Sequence, residues 1–254
     1  MSNKQAIERI RDAARNDAEA LAQIFEATTI SDDGTPRGRL NAILAATESS
    51  IVPGLQTGIT FHDIGFRREF KDPWPHSDNQ VGHFLTAVGL SFNPSKVAES
   101  FLGRTLRDWL GADAGLTDEE VAIRLCVGHE KAPDPGIGTA LGGASVGALG
   151  GAVGAAIGAP TAVLLAFRTQ FAAATAADVT VFRSAESNLG SATPLDIAAA
   201  SATLRGIAVT PTNRGNSFED LLLSNYGWRL GQMFSDGRIT ARSVAAAWVR
   251  ANLK

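Results

Sequence analysis

A chain of 254 residues with a net charge of −3 and a pI of 5.8 has no block of Lys and Arg able to neutralise a run of phosphates, which excludes nucleic acid as a partner. The length suffices for one large core or two smaller ones. With Cys126 as its one cysteine the chain has no intramolecular disulfide, and the thiol reads as a small buried apolar side chain.

The first predicted element is an amphipathic helix over residues 5–25, where Ile7, Ile10, Ala14, Leu21, Ile24 and Phe25 recur at helical spacing among charges. Those charges, Lys4, Glu8, Arg9, Arg11, Asp12, Arg15, Asp17 and Glu19, interrupt any secretory signal core. The expected setting is therefore the cytoplasm or export by a signal-independent route. Asp32, Asp33, Gly34, Thr35 and Pro36 form a turn that introduces a second helix over 37–49. Residues 51–77, with Pro53, Gly54, Gly58, Gly65, Pro73 and Pro75, predict a long ordered loop with room for a short strand.

Helices resume over 78–92 and over 94–110, where Pro94 suits a first helical turn. Thr117 and Glu120 have capping-box spacing and open a helix that closes before Pro133. Further helices are predicted over 159–186, 194–205, 218–234 and 241–253. Ser217 and Asp220 repeat the capping spacing, and Asp236 with Gly237 marks the last turn. The whole predicts an all-α, multi-helix globular bundle. A shift in composition near Asp134 divides it into a helical region at 1–134 carrying the histidines and a Gly/Ala-rich helical region at 135–254 packed on the first.

Residues 135–167 carry no charge, and Gly143, Gly147 and Gly151 form one four-residue series while Gly150, Gly154 and Gly158 form another. Such series let backbones approach closely. The length permits a membrane helix and hence membrane contact through 136–167. The Gly/Ala composition favours a buried helical hairpin or close-packed core helix instead, with Val163, Leu164, Leu165 and Phe167 packed on the carboxy-terminal helices. Gly227 and Gly231 suggest a second close helix contact, with Trp228 as core packing.

All four histidines, His62, His76, His83 and His129, fall in the first 129 residues. On a helical projection His83 shares a stripe with Asn79, Thr86, Ala87 and Leu90, away from the broad apolar face of Val81, Phe84, Leu85, Val88 and Phe92. His129 groups with Ala122, Leu125 and Cys126, and Glu130 lies about 100° around the helix. Two histidines and a carboxylate can bind zinc or act as acid and base if packing unites them. A third metal ligand is not evident from spacing, so acid–base use ranks first and the cofactor is left open. No second His follows Glu130 and Pro133 ends the helix, which excludes the His-Glu-x-x-His zinc-protease pattern. His62 and His76 read as loop residues.

Asp78, Gly82, His83 and Phe84, followed by Gly128, His129 and Glu130, resemble motifs of small helical bacterial proteins: VanZ-like membrane proteins, YfiM-like envelope lipoproteins and the helical domains of polymorphic toxins. The resemblance spans residues 72–134 and departs at Gly82, where toxin-type members often carry Arg. It implies His83, His129 and Glu130 as the matching positions, in bacterial envelope or effector biology; in the catalytic site expected here His83 and His129 act as base or metal ligands and Glu130 or Asp78 orients or ligates. The expected function is a helical hydrolase-like protein acting on a small-molecule or envelope substrate. The alternative is a non-catalytic, membrane-associated or structural protein built on the glycine series; oligomeric state is left open.

Overall fold

Ser2, Asn16, Thr35, Thr117, Thr175 and Ser217 each begin a helix by accepting a backbone amide that no helical turn can reach. The computed structural model describes residues 1–47, 59, 61, 64–71, 80–99, 104, 108, 115–131, 168–169, 171–189, 194–209 and 217–254. Among these it is all-α, with no strand. In chain order the helices are α1 (Asn3–Ala13), α2 (Asp17–Glu26), α3 (Pro36–Ala46), α4 (Gln80–Phe92), α5 (Pro94–Glu99), α6 (Asp118–Lys131), α7 (Ala176–Ser187), α8 (Pro194–Leu204), α9 (Phe218–Ser235) and α10 (Arg242–Leu253), with a 3-10 turn at Arg68–Phe70.

Two predicted continuous helices are divided. The element expected over 5–25 is broken because Ala14 is extended and the Asn16 side chain accepts the Glu19 amide at 2.8 Å, starting α2 afresh. The element expected over 159–186 is broken at Thr175, which forms a capping box with Asp178. In both cases a short polar side chain wins its local amides from the helical ladder, against an apolar periodicity that runs on. At the head of α6 the capping box is the one the spacing predicts: Thr117 and Glu120 exchange bonds of 2.8 and 3.2 Å.

The predicted strand-bearing loop, the glycine series and Val163 to Phe167 lie outside the described residues, apart from Ile59, Phe61 and residues 64–71 in the loop. Among the described residues no helix is long and apolar enough to cross a membrane.

The centre of the fold is the pair α4 and α9. Nearly every residue of α4 is buried, so the polar stripe bearing His83 faces protein, not solvent. The pair runs parallel: His83 meets Asp220 near both starts, and further along, the Ser91 hydroxyl donates to the Trp228 carbonyl at 2.8 Å. Gly227 and Gly231 make this possible. A Cβ on Gly227 would overlap the Phe84 carbonyl oxygen, and one on Gly231 would overlap Ser91 Oγ and the Val88 carbonyl oxygen. Trp228 is buried against Phe182, edge to face at 5.8 Å.

Helices from both sides of Asp134 share one core: α9 packs on α4 and α10 on α2. Arg250 ties α10 to α2 through Glu19 at 3.1 Å and Glu26 at 2.9 Å. The carboxy end of α2 is closed by buried Arg39 of α3, which donates to the carbonyls of Ile24, Phe25, Ala27 and Ile30 and pairs with Asp32 at 3.2 Å.

Candidate functional site

Three helix ends converge: the first turn of α4, the first turn of α9 and the last turn of α6. They carry His83, Asp220 and the His129–Glu130 pair respectively. The His83 and His129 rings lie 5.3 Å apart between centroids, tilted by 34°. His83 Nδ1 is 2.9 Å from Glu130 Oε1, and its Nε2 is 3.8 Å from Asp220 Oδ2. One imidazole is thus flanked by a carboxylate on each edge. All four side chains are buried, Glu130 completely.

The placement of Glu130 follows from an incomplete cap. The Ser217 hydroxyl accepts the Asp220 amide at 3.0 Å, as a capping box requires. The reciprocal bond is not made to Asp220. Instead the Ser217 amide donates to Glu130 Oε2 at 3.3 Å, so a carboxylate from α6 sits at the positive end of α9. This leaves the Asp220 carboxylate turned towards His83. Its place in the site was missed from sequence, where Asp220 reads only as a cap.

The second Glu130 oxygen differs. Oε1 approaches His83 Nδ1 at 2.9 Å without accepting a hydrogen bond. The adjacent cation in sequence, Lys131, turns away to Asp178 at 2.6 Å and joins α6 to α7. Asp178 is held below the ordinary carboxylate range: burial pushes it up, but Lys131 and the amide and hydroxyl of Thr175 outweigh that.

Cys126 lies one turn before Glu130 and is buried, as read from sequence. Burial pushes its thiol up to about 12, with the Glu130 charge adding to the effect and a Ser224 hydrogen bond opposing it. It is a neutral side chain there, not a nucleophile.

Of the residues singled out from sequence, the structure brings His83, His129 and Glu130 together. These three each offer a nitrogen or oxygen ligand atom, and the atoms lie within 4.8 Å of one another. Asp78, His62 and His76 lie outside the described residues. Chemically the cluster can exchange protons through imidazole or hold a divalent cation. Comparison with protein-family models, curated proteins and solved structures gives no match to the chain.

Proposed function

We infer that the chain is a hydrolase in which His83, Glu130 and His129 form the water-activating centre. The supporting observation is the 2.9 Å contact of His83 with Glu130 beside the His129 ring. In this reading Glu130 orients His83 and stabilises its protonated form as the ring takes a proton from attacking water. His129 lies close enough to serve the leaving group. Such positioned proton transfer contributes about 10²–10⁴-fold to a rate. Asp78 is kept as a further orienting carboxylate on the strength of the motif it shares with His83. The toxin-like and envelope-like resemblance makes a bacterial effector acting on an envelope or small-molecule substrate the setting of this reading.

The test is a panel of chromogenic carboxylic esters, phosphoesters, amides and glycosides, assayed with wild type, His83→Ala and His129→Ala. The expected result is turnover of one substrate class, reduced by about 100-fold or more in each variant, with helical circular dichroism retained. Turnover that survives both substitutions, or none in the wild type across the panel, overturns the reading.

A further inference from the structure

We propose that His83, His129 and Glu130 form a binding site for one divalent cation of the zinc class, with Asp220 as a positioning residue behind His83. The proposal rests on the site of the hydrolase reading and changes how that site would work: with His83 as a ligand, water would be activated on the ion and not by the imidazole.

The donor set comes first. Two imidazoles and one carboxylate, with ligand atoms within 4.8 Å of one another, match the nitrogen and oxygen preference of zinc-like ions, and three protein ligands leave a coordination position for water. The ligands come from α4 and from consecutive residues of α6, two elements held in a common core. The site therefore does not depend on a loop for its geometry.

Glu130 supplies the second argument. Its Oε2 is satisfied by the Ser217 amide, whereas Oε1 is fully buried and accepts no hydrogen bond. A buried carboxylate oxygen left so is costly, and a cation removes the cost. Oε1 also lies 2.9 Å from His83 Nδ1, so an oxygen and a nitrogen ligand atom already stand side by side.

Asp220 supplies the third. With Nδ1 of His83 directed at the ion, the opposite ring edge, Nε2, faces Asp220 Oδ2 at 3.8 Å. A carboxylate that accepts the other N–H of a ligating histidine fixes its tautomer and orientation; Asp220 is the carboxylate placed to make that bond, by closing from 3.8 Å.

The experiment is zinc binding by the purified full chain after chelator treatment, read by competition with a chromophoric chelator and by the thermal midpoint with and without zinc. Cobalt supplies a ligand-field spectrum on the same samples. One equivalent of zinc is expected, with a rise in midpoint as mass action requires. Glu130→Gln, which keeps an acceptor for the Ser217 amide, and His129→Asn are expected to weaken binding by more than about 100-fold. Asp220→Asn is expected to weaken it by about 10–100-fold while leaving the cobalt spectrum in place. Because both ligand variants are checked for a cooperative melt in chelator, loss of binding is separated from loss of fold. No zinc, cobalt or manganese uptake by folded wild type overturns the proposal, as does equal uptake by wild type and the ligand variants. Hydrolysis that persists in metal-free protein overturns this proposal and spares the hydrolase reading; stoichiometric binding without any hydrolysis does the reverse.

Discussion

The Ser91 hydroxyl donates to the Trp228 carbonyl at 2.8 Å, a bond that crosses from α4 to α9 through the space left by Gly231. The same close approach sets the distance between His83 and Asp220 nearer the start of both helices, so the site's geometry and the glycine contact are one structural fact. Gly231→Ala places a methyl group against the Ser91 hydroxyl and the Val88 carbonyl. Alanine gains about 1 kcal/mol of helix propensity, yet the overlap with backbone is expected to outweigh it, for a net loss of about 1–3 kcal/mol. Urea midpoints check this, and a midpoint at or above wild type would show that α4 and α9 separate freely.

Arg39 closes the end of α2 with donors to the carbonyls of Ile24, Phe25, Ala27 and Ile30. Its planar fork reaches groups in different directions at once, which an ammonium cannot. Arg39→Met, which removes the charge and all its donors, is expected to cost about 3–5 kcal/mol, the range for removing one partner of a buried ion pair. Chemical denaturation measures it; a loss below about 1 kcal/mol would place Arg39 among ordinary surface pairs.

Glu19 is held down to about 2 from an ordinary 4.5, chiefly by its hydrogen bond with Lys254 and further by Arg250 and Gln23, with slight burial opposing them. A carboxylate lowered in the folded state contributes stability that is whole above its unfolded value and lost as pH falls through its folded one. Wild type is therefore expected to lose stability between pH 4.5 and about 2, and Glu19→Gln to be weaker near neutrality with a flatter acid limb in that window. Melting curves across the range decide it: identical acid limbs would mean the pairing does not survive in solution.

Cys126, raised to about 12 and buried, is expected to resist a disulfide reagent at neutral pH until the protein unfolds, then to react at once. Titration with and without denaturant reads this directly. Rapid labelling of native protein would mean that the end of α6, and Glu130 with it, opens readily.

Much of the architecture was legible because apolar periodicity and caps are local signals: Thr117 with Glu120, and Ser217 with Asp220, place the starts of α6 and α9. Breaks were harder, since Asn16 and Thr175 interrupt patterns whose apolar residues stay in phase. The juxtaposition of His83 with His129 and Glu130 was stated as a condition on packing, and the packing meets it. Asp220 was not legible. Its role depends on a carboxylate from another helix taking the Ser217 amide, which no spacing within 217–220 encodes. The all-round burial of α4 was also hidden, because a polar stripe of His83 and Thr86 reads as solvent-facing unless its partners are known.

The pairing of α4 with α9 and of α2 with α10 also sets an order of events on the ribosome. Helices α2 and α4 each wait for a partner translated long after them, and contacts so distant in sequence form slowly. His83, His129 and Glu130 are all synthesised well before α9, yet the amide that holds Glu130 belongs to Ser217 and the helix that seats α4 follows it. A nascent chain that has displayed every histidine still lacks the cluster, which is assembled only when α9 has emerged and docked.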